Sequence, residues 1–261
     1  MTSCLILAAG EGSRLRPLTS GTPKGLVPLL GKPLMSYQFD VLEAAGITDI
    51  AIATGYRADK FSSYKYPTYH NELFNQTNMV ESLFSARSFI SKSKGDLLIS
   101  YGDIVYESGN LQSVLNGGGD LSVMVDRGWL DLWSVRNEDP INDAETLKLN
   151  QLGRIIEIGK KPKSLDEIEG QYTGLIRVPE HKKEDLVAFY DSLDKTDTYD
   201  GRNFDQMYMT SFIQMLIDAK WDVLPAHVEN GWLEVDTVAD LELYEKLSLE
   251  GNLEKLWDQN G

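Results

Sequence analysis

The sequence predicts an α/β fold, a mostly parallel sheet flanked by helices, and three observations carry that expectation. Short apolar runs at residues 5–9, 50–54, 96–101 and 121–125 lie beside glycine or polar turns, as buried strands do. Between the first two, Leu34, Tyr37, Val41, Leu42 and Ala45 recur at helical spacing. Strand, loop, helix and strand in that order form a βαβ unit, the building block of a parallel sheet.

The elements follow in order. Pro33 suits the first position of the helix and Gly46 its C-terminal stop. Residues 69–71 read as an edge strand. Asn78 with Glu81 three positions on resembles a capping box, and Met79, Leu83, Ala86 and Ile90 share one helical face. A short helix at 110–115 and a Gly117-Gly118-Gly119 link lead to the strand at 121–125. From 126 to about 160 the alternation is interrupted by Trp129, Trp133 and an acidic stretch, followed by a hairpin across residues 150–153. This region reads as an insertion at the mouth of the sheet. Strands at 172–178, 222–226 and 232–236 and helices at 183–193, 205–219 and 237–247 complete the chain. A length of 261 residues fits one domain, 1–261, in two halves, 1–125 and 126–261.

Composition narrows the function. A formal charge of -15 argues against nucleic acid and anionic membranes as partners. Cys4 is the only cysteine, so no intrachain disulfide can form, and the three histidines make no zinc pattern. No apolar stretch reaches membrane-spanning length, and the N-terminus lacks a signal-peptide layout. The expectation is a cytoplasmic protein.

Against this acidic background, Arg14, Arg16 and Lys24 gather on one glycine-bearing connection after the first strand. Open α/β sheets bind ligands at the carboxyl ends of their strands. The loop is not a Walker A motif, because Pro33 follows Gly31-Lys32. Nor is it the dinucleotide fingerprint, because Leu15 stands at the third glycine position.

The run Leu7-Ala8-Ala9-Gly10-Glu11-Gly12-Ser13-Arg14-Leu15-Arg16-Pro17-Leu18-Thr19, with Thr22-Pro23-Lys24, resembles the signature of nucleotidyltransferases that make activated sugars and alcohols. Among these it is most similar to bacterial CTP:phosphocholine and phosphonate-type cytidylyltransferases. The resemblance implies a Rossmann-like sheet with a nucleotide-binding half (1–125) and an acceptor-binding half (126–261). It also implies that Leu7, Ala8, Ala9, Gly10, Glu11, Gly12 and Ser13 meet CTP, that Arg14 holds the triphosphate, and that Lys24 contacts the α-phosphate. Asn78 and Ser82 would face the base, a helix cap and a surface serine being the plainer reading of the two.

Asp103 and Asp236 each end an expected strand, and two carboxylates with phosphate oxygens suit Mg2+; in the family, acidic residues in these contexts bind that metal. The simpler roles are a turn residue for Asp103 and a helix N-cap for Asp236. Glu234 is expected to point away from Asp236 and is the weaker candidate. Lys160 or Lys161 resembles the lysine that meets the acceptor phosphate. Trp129, Trp133, Tyr172, Tyr208 and Trp232 are candidates for an aromatic acceptor box, or for core and interface packing. Arg136, Asp143 and Glu145 add charges that a pocket for ammonium alone does not need; they suit an acceptor with amine and carboxylate, or they hold the insertion together.

The resulting expectation is a Mg2+-dependent cytidylyltransferase using CTP and a small phosphorylated or phosphonate acceptor, such as a phosphocholine-like compound, an aminoalkyl phosphonate or a phosphorylated amino acid. A sugar-1-phosphate nucleotidyltransferase using UTP, dTTP or GTP is the alternative enzyme, and a non-catalytic nucleotide sensor the alternative of another class. Whether the chain forms a homodimer is left open.

Overall fold

The computed structural model describes residues 1–261. The strands of three or more residues are β1 (Thr2–Ala8), β2 (Asp49–Thr54), β3 (Thr68–His70), β4 (Asp96–Tyr101), β5 (Ile104–Tyr106), β6 (Leu121–Asp126), β7 (Leu147–Leu149), β8 (Ile155–Ile158), β9 (Gln171–Val178), β10 (Val223–Val228) and β11 (Trp232–Glu234). The helices are α1 (Leu34–Ala44), α2 (Met79–Ser85), α3 (Arg87–Lys92), α4 (Ser108–Leu115), α5 (Trp129–Arg136), α6 (Lys183–Ser192), α7 (Met209–Asp218) and α8 (Val238–Leu249). None is long and apolar enough to cross a membrane.

Seven strands form the central sheet in the order β10-β6-β9-β4-β1-β2-β3. All neighbours are parallel except at β9, which runs antiparallel to both β4 and β6. The period-two alternation of β1 divides the core between the faces. Cys4, Ile6 and Ala8 pack with Leu34, Met35, Leu42 and Tyr244 on one side, and Leu5 and Leu7 with Val80, Phe84 and Phe212 on the other. Leu5 and Ile6 are fully buried, and each such side chain contributes about 1.5–3 kcal/mol. A buried central strand therefore carries the glycine loop that follows it.

Four local expectations are corrected. Pro33 precedes α1 in extended conformation instead of opening it. The capping box at α2 does not form: Asn78 Oδ1 accepts from the Met79 N–H, while the Glu81 carboxylate is taken by the Tyr190 hydroxyl of α6. The helix expected from 205 begins at Met209, because Met207 and Tyr208 are extended. A capping box does occur at α8, where Thr237 Oγ1 accepts from the Asp240 N–H and Asp240 returns the bond to the Thr237 N–H, so Thr237, not Asp236, is the N-cap. Residues 126–160 contribute α5 and the β7–β8 hairpin.

Candidate active site

Two three-residue strands outside the main sheet assemble the site. After β4 the chain turns through Gly102-Asp103 into β5, which pairs antiparallel with β11, Ile104 facing Glu234. The ladder continues by one bond, from the Val235 N–H to the Asp103 carbonyl at 3.0 Å. Residues far apart in sequence, Asp103 and Asp236, are thereby held beside the loop that follows β1.

Lys24 lies between them. Its Nζ donates to Asp103 Oδ2 at 2.6 Å and to Asp236 Oδ1 at 2.8 Å, with the lysine side chain 14% exposed. Arg14 pairs with the other oxygen of Asp236. Burial acts against the lysine's charge, but Asp103, Asp236 and Glu234 outweigh it and hold the ammonium above the ordinary lysine range. Asp103 Oδ1 is buried without a hydrogen-bond partner.

Glycine is required where the loop and Lys24 meet. Gly12 has φ +61°, and a Cβ there would stand 2.9 Å from Lys24 Cβ. Its carbonyl accepts from Thr19 Oγ1 at 2.8 Å, which closes the turn.

A cleft of about 300 Å³ runs along this loop. Leu7, Ala8, Ala9, Gly10, Gly12, Ser13, Arg14 and Lys24 border it on one side, Asn78 and Ser82 of α2 on another, and Asp103 and Asp236 at its end. Of the expected nucleotide residues only Glu11 is outside; its carboxylate accepts from Arg16 instead. Ser82 is buried and accepts from Asn71 Nδ2 at 3.1 Å, so it is not the surface serine of the plainer reading. Phe74, Thr77 and Met79 also line the cleft, and none of them is a site candidate in the sequence.

A second chamber, about 230 Å³, adjoins the first at Arg14, Met79 and Asp236. Trp133, Tyr172, Tyr208 and Trp232 supply aromatic walls, and Asp143, Glu145 and Glu234 supply charge. Trp232 is held by its Nε1–H bond of 2.8 Å to the buried carboxylate of Asp126. Trp129 does not border the chamber; it packs edge-on behind Trp133 in the core. Neither Lys160 nor Lys161 reaches it. Lys160 pairs with Glu157 at 3.4 Å, and Lys161 donates to the Ile141 carbonyl at 3.0 Å.

Glu234 corrects another expectation. It lines the same chamber as Asp236, because residues two apart in extended chain share a face. Burial pushes its carboxyl up, Asp103 and Asp236 add to the rise, and Arg136 and Lys24 oppose it. Glu145 stands in the concave wall yet stays open to the chamber's solvent. Desolvation first, then Asp143, Glu234 and Asp200, push its carboxyl up to about 7. Gln171, Thr173 and Thr210 complete the wall; as single polar residues they carry no local sequence signal.

The arrangement can hold a polyphosphate along the loop, present two carboxylates and a lysine at one end, and seat a second small molecule next door. Residues 3–118 match the model of the nucleotidyl transferase family. The CTP:phosphoglutamine cytidylyltransferase of Campylobacter jejuni is 42% identical over 249 residues, covering 92% of this chain and 98% of that protein. The choline-phosphate cytidylyltransferase of Streptococcus pneumoniae is 39% identical over 93 residues, 34% of this chain and 41% of that one. Two solved structures share the fold: the CTP:phosphocholine cytidylyltransferase of Streptococcus pneumoniae (TM-score 0.68, 22% identity, 95% of this chain and 99% of that one) and the inositol-1-phosphate CTP transferase of T. maritima (TM-score 0.73, 20% identity, 99% and 98%). The chain is an enzyme and belongs to the nucleotidyltransferase family.

Proposed function

We propose that this enzyme moves CMP from CTP to a phosphate or phosphonate oxygen of a small acceptor, with release of pyrophosphate. The observation that carries the reading is the meeting of Lys24, Asp103 and Asp236 where the two chambers join. The acceptor oxygen attacks the α-phosphorus, the bond from that phosphorus to the bridging oxygen breaks, and pyrophosphate leaves with the electron pair. Lys24 neutralises charge that builds on the α-phosphate, and Arg14 with the Gly12–Ser13 turn holds the leaving group. Such chemistry needs positioning and charge neutralisation, not a covalent intermediate.

The chain's own residues fit Mg2+. Asp103 and Asp236 converge on one cation, the Lys24 ammonium, and Asp103 Oδ1 is buried without a partner; Mg2+ is commonly held by one or two carboxylates together with substrate phosphates. Asp103 and Asp236 would hold the ion, which when bound polarises phosphoryl oxygens.

A phosphorylated amino acid is the acceptor class we favour. The relative of 42% identity is named for phosphoglutamine, and a wall of aromatic rings with Asp143, Glu145 and Glu234 suits a compact group carrying an amine. The test is a pyrophosphate-release screen of CTP, UTP, dTTP and GTP against phosphorylated amino acids, phosphocholine, aminoethylphosphonate and sugar phosphates. CTP with a phosphorylated amino acid is the expected pair. Preference for another nucleotide with a sugar phosphate would replace this reading. CTP binding without pyrophosphate release across the panel would end it.

A further inference from the structure

Arg136 lies outside the lining of both chambers, with its side chain 6% exposed. It grips Asp240 with two bonds, Nε to Oδ1 at 3.0 Å and Nη2 to Oδ2 at 3.3 Å, and reaches Glu234 Oε2 from Nη1 at 3.0 Å. Asp240 Oδ2 in turn accepts from the main-chain N–H of Asp236 at 2.9 Å and of Thr237 at 2.8 Å.

Capping of α8 accounts for only part of this. The Thr237 bond belongs to the capping box, whereas the Asp236 N–H lies outside the helix. Between the Val235–Asp103 bond and α8, the 236–237 main chain is fixed by Asp240. Arg136 also extends from α5, the helix whose Trp133 walls the acceptor chamber, and its guanidinium lies 5.8 Å from the Trp133 ring centre. An enclosed arginine with two carboxylates is costly to desolvate and serves poorly as a simple stabiliser. A planar fork that meets a carboxylate at two points fixes direction as well as charge.

We infer that Arg136 and Asp240 are positioning residues for nucleotidyl transfer: they fix the main chain of Asp236, and so the carboxylate facing Lys24, and tie it to the helix that walls the acceptor chamber. This rests on the transfer reading above; its binding test needs that reading's CTP and divalent-ion site but no acceptor.

The experiment uses the full chain with Asp240→Asn, Arg136→Lys and Arg136→Met. Loss of an outer partner of this kind typically costs about 10–100-fold. Asp240→Asn is therefore expected to lower kcat by about 10–100-fold and to weaken Mn2+ binding to the enzyme–CTP complex, read by electron paramagnetic resonance, by about tenfold or more. KM for CTP should stay within about threefold, because the loop contacts are intact. Arg136→Lys should retain more activity than Arg136→Met, since it keeps the charge and loses the fork. If Arg136→Met does not fold, the other two variants decide. Lower melting temperature with unchanged kcat and Mn2+ affinity in the folded protein would overturn the inference and leave a purely structural pair. If the wild type transfers CMP to no acceptor, the transfer reading fails while Mn2+ binding still tests the positioning.

Discussion

Asp103 and Val235 are joined by a main-chain hydrogen bond of 3.0 Å, and that bond extends the β5–β11 ladder to the point where Asp236 emerges. The two carboxylates that face Lys24 are thus spaced by backbone, not by side-chain flexibility. Around that ladder the remaining residues can be tested singly.

Gly12→Ala should weaken both the fold and nucleotide binding. Its φ of +61° costs an L-residue about 1–2 kcal/mol, and the added methyl group would press on Lys24 Cβ at 2.9 Å. Urea unfolding should show that loss, with a higher KM for CTP. Wild-type values of both would contradict the role given to the turn.

Asp126→Ala should be costly although it touches no substrate. The carboxylate accepts from Trp232 Nε1 at 2.8 Å and from the Gly128 and Asn230 main-chain N–H groups at 2.8 and 2.9 Å. Leaving these donors unsatisfied should cost about 3 kcal/mol or more, at about 1–3 kcal/mol per stranded group. Denaturant melts measure the loss, and a rise in acceptor KM should accompany it as Trp232 loosens. A loss below about 1 kcal/mol would show that water replaces the carboxylate freely.

Glu145 gives a pH dependence with a defined sign. Its carboxyl is raised to about 7, so it is neutral below that value and charged above it. An amine-bearing acceptor needs the charged form, so acceptor KM should fall as pH is raised through about 7. Glu145→Gln should remove this part of the profile and leave the titrations of the acceptor's own phosphate, at about pH 6, and of the raised Glu234 carboxyl. KM for CTP should not change. An unaltered profile in the variant would remove Glu145 from acceptor binding.

The parts legible in the sequence were those whose pattern is local. The apolar run of β1 and the glycines and cations after it lie where the sequence placed them, and Asp103 sits in the turn just past its strand. What was missed depends on distant partners. Trp129–Arg136 forms a helix without a side-chain cap, and Arg136 is fixed by Glu234 and Asp240 from the far end of the chain. The α8 box went unread because Asp240 occupies the place where Glu or Gln is usual. Glu234 shares a face with Asp236, two residues on, and so lines the chamber against expectation. Lys160 and Lys161 are acceptor candidates only by resemblance: Lys160 pairs with Glu157 three residues before it, and Lys161 turns to residues 141–142, a partner that no local pattern reveals.

The most direct measurement is pyrophosphate release from CTP, in the presence of a phosphorylated amino acid, by the wild type, Lys24→Ala and Asp103→Ala. Removing one preorganised charge-stabilising group typically costs about 100–1000-fold in kcat. Turnover by the wild type with a loss of that size or larger in both variants is the predicted result. Near-normal turnover in both would contradict the account.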